Sequence, residues 1–94
     1  MSFTKEFTVT NKVGLHARPA ARFVKAAAKM EGNSIVIANV SKQTPQVNAK
    51  SFTCVLSIGA NQNDVVKVTI DGDNAEEAMN TFSELFATNF GEED

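Results

Sequence analysis

The spacing of apolar residues along this chain switches repeatedly between a period of two and a period near 3.6, and that alternation restricts the fold more than any other feature. Between residues 3 and 9 the odd positions Phe3, Phe7 and Val9 are apolar, while Thr4, Glu6 and Thr8 are polar. This is a strand with one buried face, in which Lys5 interrupts the inner row. After the turn-rich Asn11–Lys12–Val13–Gly14, residues Ala20, Phe23, Val24, Ala27 and Met30 recur at helical spacing. The helix is expected to stop at Gly32–Asn33, where glycine can adopt the left-handed cap conformation. Residues 35–40 are β-branched and apolar, and with a weaker extended piece, 46–50, they read as a hairpin across the loop 41–45. Ser51 precedes Phe52, Val55 and Leu56 on one face, and Gly59 follows, which predicts a short helix with its own cap and stop. Val66, Val68 and Ile70 make a fourth alternating strand, closed by Asp71–Gly72–Asp73. A last helix, capped by Asp73 or Asn74, carries Glu76 and Glu77 in its first turn and buries Ala75, Ala78, Met79, Phe82, Leu85 and Phe86.

The order β-α-β-β-α-β-α predicts an α+β fold, an open-faced β-sandwich with one sheet face under helices and the other in water. A chain of 94 residues supports one core, so residues 1–90 read as a single domain and residues 91–94 as a frayed acidic tail. With 43% apolar and 21% charged residues, disorder and fibrous repeats are excluded. Nine Lys and Arg against eleven Asp and Glu argue against a general nucleic-acid binder, as does the scarcity of stacking aromatics on the exposed sheet face. The longest apolar run, Ile35–Val36–Ile37–Ala38, falls far short of the roughly 20 residues of a membrane helix. No secretory or transit signal opens the chain, and a cytoplasmic location is expected. One cysteine, Cys54, and one histidine leave neither an internal disulfide nor a self-contained Cys/His metal site. Neither metal nor cofactor is expected.

The stretch that carries chemistry is Gly14–Leu15–His16–Ala17–Arg18–Pro19–Ala20. Pro19 fits the first helical turn, where a missing N–H costs little, and it biases Arg18 away from full helical geometry. His16 then lies at or near the N-cap. Histidine is a poorer cap than Ser, Thr, Asp or Asn, and it leaves the amides of Ala17 and Arg18 open. An anion beside the imidazole would find those amides, the positive end of the helix dipole and the forked Arg18 guanidinium. Taken by spacing alone, a single histidine in a small domain is far more often a surface or turn residue. Two features favour a phosphate site with a resident nucleophile: a helix N-terminus favours the neutral ring, and Arg18, Arg22, Lys25 and Lys29 fall on one stripe that leads to it. Such a stripe is either a solvated face or a dock for acidic partners, with Arg22 and Lys25 the candidates. Ser51 by composition is simply an N-cap.

With these residues in place, the chain resembles the HPr family. The segment from Gly14 to Ala20, the continuation Ala21–Arg22–Phe23–Val24–Lys25, and Val47–Asn48–Ala49–Lys50–Ser51 with Leu56–Ser57–Ile58–Gly59 look like the histidine-containing phosphocarriers of the bacterial phosphoenolpyruvate:sugar phosphotransferase system. The resemblance implies a four-stranded antiparallel sheet with three helices on one face. It implies a phosphoryl group carried on Nδ1 of His16, received from phospho-enzyme I and given to the IIA domains of sugar permeases, with Arg18 beside it. It also makes Ser51 the position of an ATP-dependent regulatory kinase, the HPr kinase/phosphorylase, and sets Phe52 and Val55 on the docking surface. A covalent carrier rather than a stand-alone enzyme follows, monomeric and outside the membrane. The alternative within the resemblance is a regulatory module that docks kinases or transcription factors without serving transport. The loop 41–45 is longer than usual, and Phe52, Thr53 and Cys54 replace the commoner Ile, Met and Gly, so an altered sheet edge and apolar patch are expected.

Overall fold

The structure, a computed structural model, describes residues 1–92. Its central strand is β4 (Val65–Asp71), antiparallel both to β1 (Ser2–Thr8) and to β2 (Ser34–Asn39). The short β3 (Val47–Asn48) pairs with β2 as a hairpin and completes a four-stranded sheet of order β1-β4-β2-β3. Register explains the inner face. Phe3, Lys5 and Phe7 oppose Ile70, Val68 and Val66, which in turn oppose Ile35, Ile37 and Asn39 across β2. Only Lys5 and Asn39 break this apolar surface. Lys5 sets its Nζ over the Phe7 ring, 5.3 Å from the centroid, and donates from it to Ser83 Oγ at 2.8 Å, so the ammonium meets a ring face and a hydroxyl at the exposed edge of the layers.

Helices α1 (Ala17–Ala28) and α3 (Ala75–Ala87) pack together over that face, and α2 (Phe52–Ser57) packs against α1. The open-faced sandwich and the element order are those expected from the periodicities. An aromatic seam joins the layers: Phe7 stacks on Phe86 at 4.3 Å, Phe23 on Phe82 at 4.8 Å, and Phe90 meets Phe86 edge-on at 4.9 Å. Each such pair adds about 0.5–1.5 kcal/mol beyond simple burial. Among the described residues, no helix is long and apolar enough to cross a membrane.

Several boundaries differ from the sequence expectation. Helix α1 ends at Ala28 with Lys29 as its C-cap, not at Gly32–Asn33. Bonds from the Lys29 and Met30 N–H groups to the carbonyls of Ala26 and Ala27, three residues back, tighten the last turn and end the helix, and Lys50 Nζ takes up the carbonyls of Met30 and Asn33. Met30 still packs against the core, which is why the helical spacing ran on past the helix. Asn74 holds the N-cap position of α3, yet its Oδ1 accepts from Asn33 Nδ2 at 2.7 Å and makes no capping bond. Gly91 closes a 3₁₀ turn (Asn89–Gly91) that buries Phe90, and Glu92 is ion-paired, whereas residues 93 and 94 lie outside the described residues.

Candidate functional site

His16 is the N-cap of α1, with an extended backbone (φ −130°, ψ 168°) and no side-chain capping bond. Pro19 has no N–H, and the Ala20 N–H already bonds His16 O at 3.4 Å. The first-turn donors without an intrahelical acceptor are therefore the amides of Ala17 and Arg18. Ala17 holds φ +49°, a left-handed conformation that costs a non-glycine residue roughly 1–2 kcal/mol. Buried neighbours on both sides impose it: Leu15, whose N–H bonds Ala60 O at 2.8 Å, and the Pro19–Ala20 pair.

The opposite wall is the loop between α2 and β4. Gly14, at φ +73°, lies directly against it; a Cβ there would sit 2.5 Å from Ala60 O and 2.8 Å from Asn61 Cα. Only glycine allows this approach. A buried Asn11 holds the turn through Nδ2 to Gly14 O at 2.8 Å. The approach brings Asn61 Oδ1 to 2.9 Å from His16 Nε2. An amide oxygen only accepts, so this contact calls for a proton on Nε2, and in the neutral ring that leaves the lone pair on Nδ1.

Asn61 is itself held. Its N–H donates to Asp64 Oδ2 at 2.9 Å and its carbonyl accepts from the Asp64 N–H at 3.0 Å. The same carboxylate oxygen accepts from Asn39 Nδ2 at 3.1 Å and lies 3.4 Å from Lys42 Nζ. These donors, first the Asn61 backbone and then the Asn39 side chain and Lys42, hold the Asp64 carboxyl below its ordinary range against the opposing effect of burial. Asn39 also donates to Ile58 O, and Lys42 Nζ to Gly59 O, so the hairpin loop is tied to the loop beneath His16.

Arg18 projects into solvent on the other side of the helix start. Its Nη1 lies 3.6 Å from Glu92 Oε2, which is also 3.7 Å from Arg22 Nη1. Arg22 additionally donates to the carbonyl of Phe90, so this member of the basic stripe is anchored to the C-terminal turn. Lys25 and Lys29 are exposed, and with Arg22, Ala26, Met30 and Thr81 they line an open groove of about 510 Å³. Ser51 is the N-cap of α2, its Oγ accepting from the Cys54 N–H at 3.3 Å, and Phe52 beside it is 42% exposed. Val55 is a correction: it is fully buried. Its side chain belongs to the core cluster on the inner face of α2, so it is not part of the exposed surface that Phe52 presents.

Asn61, Asp64, Lys42 and Glu92 escaped the sequence reading because each acts across 22 to 74 residues of chain. One signal was present: Asn39 occupies an inner-row position after Ile35 and Ile37, and a polar residue in a buried row demands a partner.

Comparisons with known proteins bear on the family and the fold. The family model described as "PTS HPr component phosphorylation site" matches residues 3–88. The phosphocarrier protein HPr of Xylella fastidiosa (strain Temecula1) is 42% identical over 88 residues, 94% of both chains. The crystal structure of HPr-C-His from Thermoanaerobacter tengcongensis superposes with a TM-score of 0.88 at 40% identity, covering 98% of this chain and 99% of that one. A multiphosphoryl transfer protein of Vibrio cholerae is 36% identical over 89 residues, which is 95% of this chain and 22% of that protein. Match, coverage and architecture coincide over nearly the whole chain, and it belongs to the HPr family of phosphocarriers of the phosphotransferase system.

Proposed function

We propose that His16 accepts a phosphoryl group on Nδ1 from the phosphohistidine of enzyme I and passes it to the IIA domains of sugar permeases in the cytoplasm. The observation that carries this reading is the contact of Nε2 with Asn61 Oδ1, which in the neutral ring leaves the lone pair on Nδ1 at the start of a helix whose first two amides have no side-chain cap. Phosphoryl transfer asks the protein mainly for positioning and charge neutralisation. The Nδ1 lone pair forms the new bond to phosphorus as the donor's N–P bond breaks, and that electron pair leaves on the donor imidazole. Arg18 and the amides of Ala17 and Arg18 meet the anionic oxygens. Nδ1 becomes the leaving group in the second transfer.

Ser51 fits a regulatory role on the same surface. It is half-buried beside the exposed Phe52, so a phosphate on its Oγ would put a dianion next to an apolar contact residue, and desolvating it against a partner would cost several kcal/mol unless a cation met it. Lys25 and Phe52 supply the exposed basic and apolar parts of such a docking face. Incubation with phosphoenolpyruvate and enzyme I should add one acid-labile phosphate, and His16→Ala should abolish it. An acid-stable product, or labelling that survives His16→Ala, overturns the assignment.

A further inference from the structure

We propose that Asn61 is a positioning residue for His16, and that Asp64, clamped by Asn39 and Lys42, holds Asn61 in place for that task. The inference rests on the phosphoryl-carrier reading of His16 and adds a second layer to its site. Asn61 is exposed, so burial does not explain its fixed geometry; five contacts do. Its N–H and C=O exchange bonds with Asp64, at 2.9 and 3.0 Å. The loop's far end is tied to the end of β1, Asn63 N–H to Val9 O at 2.6 Å and Val9 N–H to Asp64 O at 2.9 Å. Gly14 packs on the Asn61 backbone too closely for any side chain. The outcome is one oxygen, Asn61 Oδ1, aimed at His16 Nε2.

Two consequences follow for the chemistry. A free imidazole exchanges its proton between the two nitrogens, and in the Nδ1–H form the available lone pair is on Nε2, so Nδ1 cannot attack phosphorus. Accepting from Nε2–H biases the ring to the reactive tautomer. After the N–P bond forms, the ring still holds Nε2–H and shares positive charge, so the same oxygen meets a more polarised donor and stabilises the charged phosphohistidine from which the group leaves. Asp64 acts only through Asn61. Its carboxylate gathers the Asn61 N–H, the buried Asn39 amide and the Lys42 ammonium, and the last two tie the loop 40–46 to the site floor.

The test uses side-chain ¹⁵N NMR of the full-length chain with labelled histidine, recorded at alkaline pH, where the ring is neutral. Wild type should show a pyridine-like Nδ1 and a protonated Nε2. Asn61→Ala should raise the Nδ1–H to Nε2–H ratio about fivefold, the effect of losing one neutral hydrogen bond. Asn61→Asp, which keeps an acceptor oxygen, should restore the wild-type ratio. Asp64→Ala should move the ratio in the same direction as Asn61→Ala by a smaller factor, and Lys42→Met should do so again if the Asp64 variant fails to fold. An unchanged ratio in Asn61→Ala overturns the positioning role. A shift in Asn61→Ala with none in Asp64→Ala, or in Lys42→Met where that stands in, overturns the clamp. Because the readout is the unphosphorylated ring, failure of the phosphoryl-carrier reading would show separately, as label retained by His16→Ala.

Discussion

Glu92 holds Arg18 when no phosphoryl group is present, and removing its charge should shift the phosphoryl equilibrium of His16. Its carboxylate lies 3.6 Å from Arg18 Nη1 and 3.7 Å from Arg22 Nη1, with Arg18 69% exposed and Glu92 23% exposed. A phosphoryl group on Nδ1 would compete with Glu92 for the Arg18 guanidinium and would feel the carboxylate's repulsion. Coulomb energies at such separations run from about 1 kcal/mol in water to about 4 kcal/mol at the effective dielectric of a protein surface. The exposure of Arg18 and the entropy of holding two long side chains reduce the net value to about 0.2–1 kcal/mol. Glu92→Gln should therefore move the equilibrium between this chain and enzyme I toward the phosphorylated form by up to about fivefold, the ratio that corresponds to 1 kcal/mol. ³¹P NMR of a closed mixture of the two proteins measures the ratio directly. The gain should shrink as ionic strength rises, since one partner is solvent-open. An equilibrium unmoved at low salt, or moved toward the unphosphorylated form, refutes the competition argument.

Other expectations are more local. Arg22→Glu should destabilise the fold by about 1–2 kcal/mol in denaturant titrations, because it removes the bond to the Phe90 carbonyl and sets a carboxylate beside Glu92. Lys25→Glu, at an exposed position, should change stability by less than about 0.5 kcal/mol and slow association with enzyme I in a salt-dependent way, measured by stopped flow. Ser51→Asp keeps a good N-cap for α2, so circular dichroism should be unchanged while calorimetry shows weaker binding to enzyme I; equal affinity with slow transfer would place the effect at the chemical step. The Asp64 carboxyl is held below its ordinary value of 3.8, so its contribution to stability is complete above that value and is lost as pH falls through the lower folded value. The stability difference between wild type and Asp64→Asn should accordingly stay constant from neutral pH down to about 3.8 and shrink as pH falls from there through the lower folded value, which urea melts across that range would show.

The parts of the fold that could be read from the chain are those encoded by short-range periodicity. Val66, Val68 and Ile70 alternate because β4 is buried on one face, and Phe82 and Phe86 fall on one stripe because α3 covers that face. Where an element stops was less legible, since its end is decided by partners distant in sequence. Lys50 satisfies the carbonyls beyond α1 from 17 and 20 residues away, and Asn33 takes the Asn74 oxygen that would have capped α3 from 41 residues away.

The site divides along the same line. His16, Arg18 and the two open amides lie within one helical turn, so their chemistry follows from local rules about caps, proline and dipoles. The proton on the ring is another matter. Which nitrogen of His16 carries it depends on an oxygen 45 residues further along the chain. That oxygen is in reach because Gly14 lacks a Cβ and Asp64 gathers donors from Asn39, Lys42 and the Asn61 backbone. On the proposed reading, a local motif places the histidine for phosphoryl transfer and tertiary packing selects the nitrogen that would perform it. Substitutions in the hairpin loop at Lys42, remote in sequence from His16, should on this reasoning alter the tautomer of His16 while leaving the motif around it untouched.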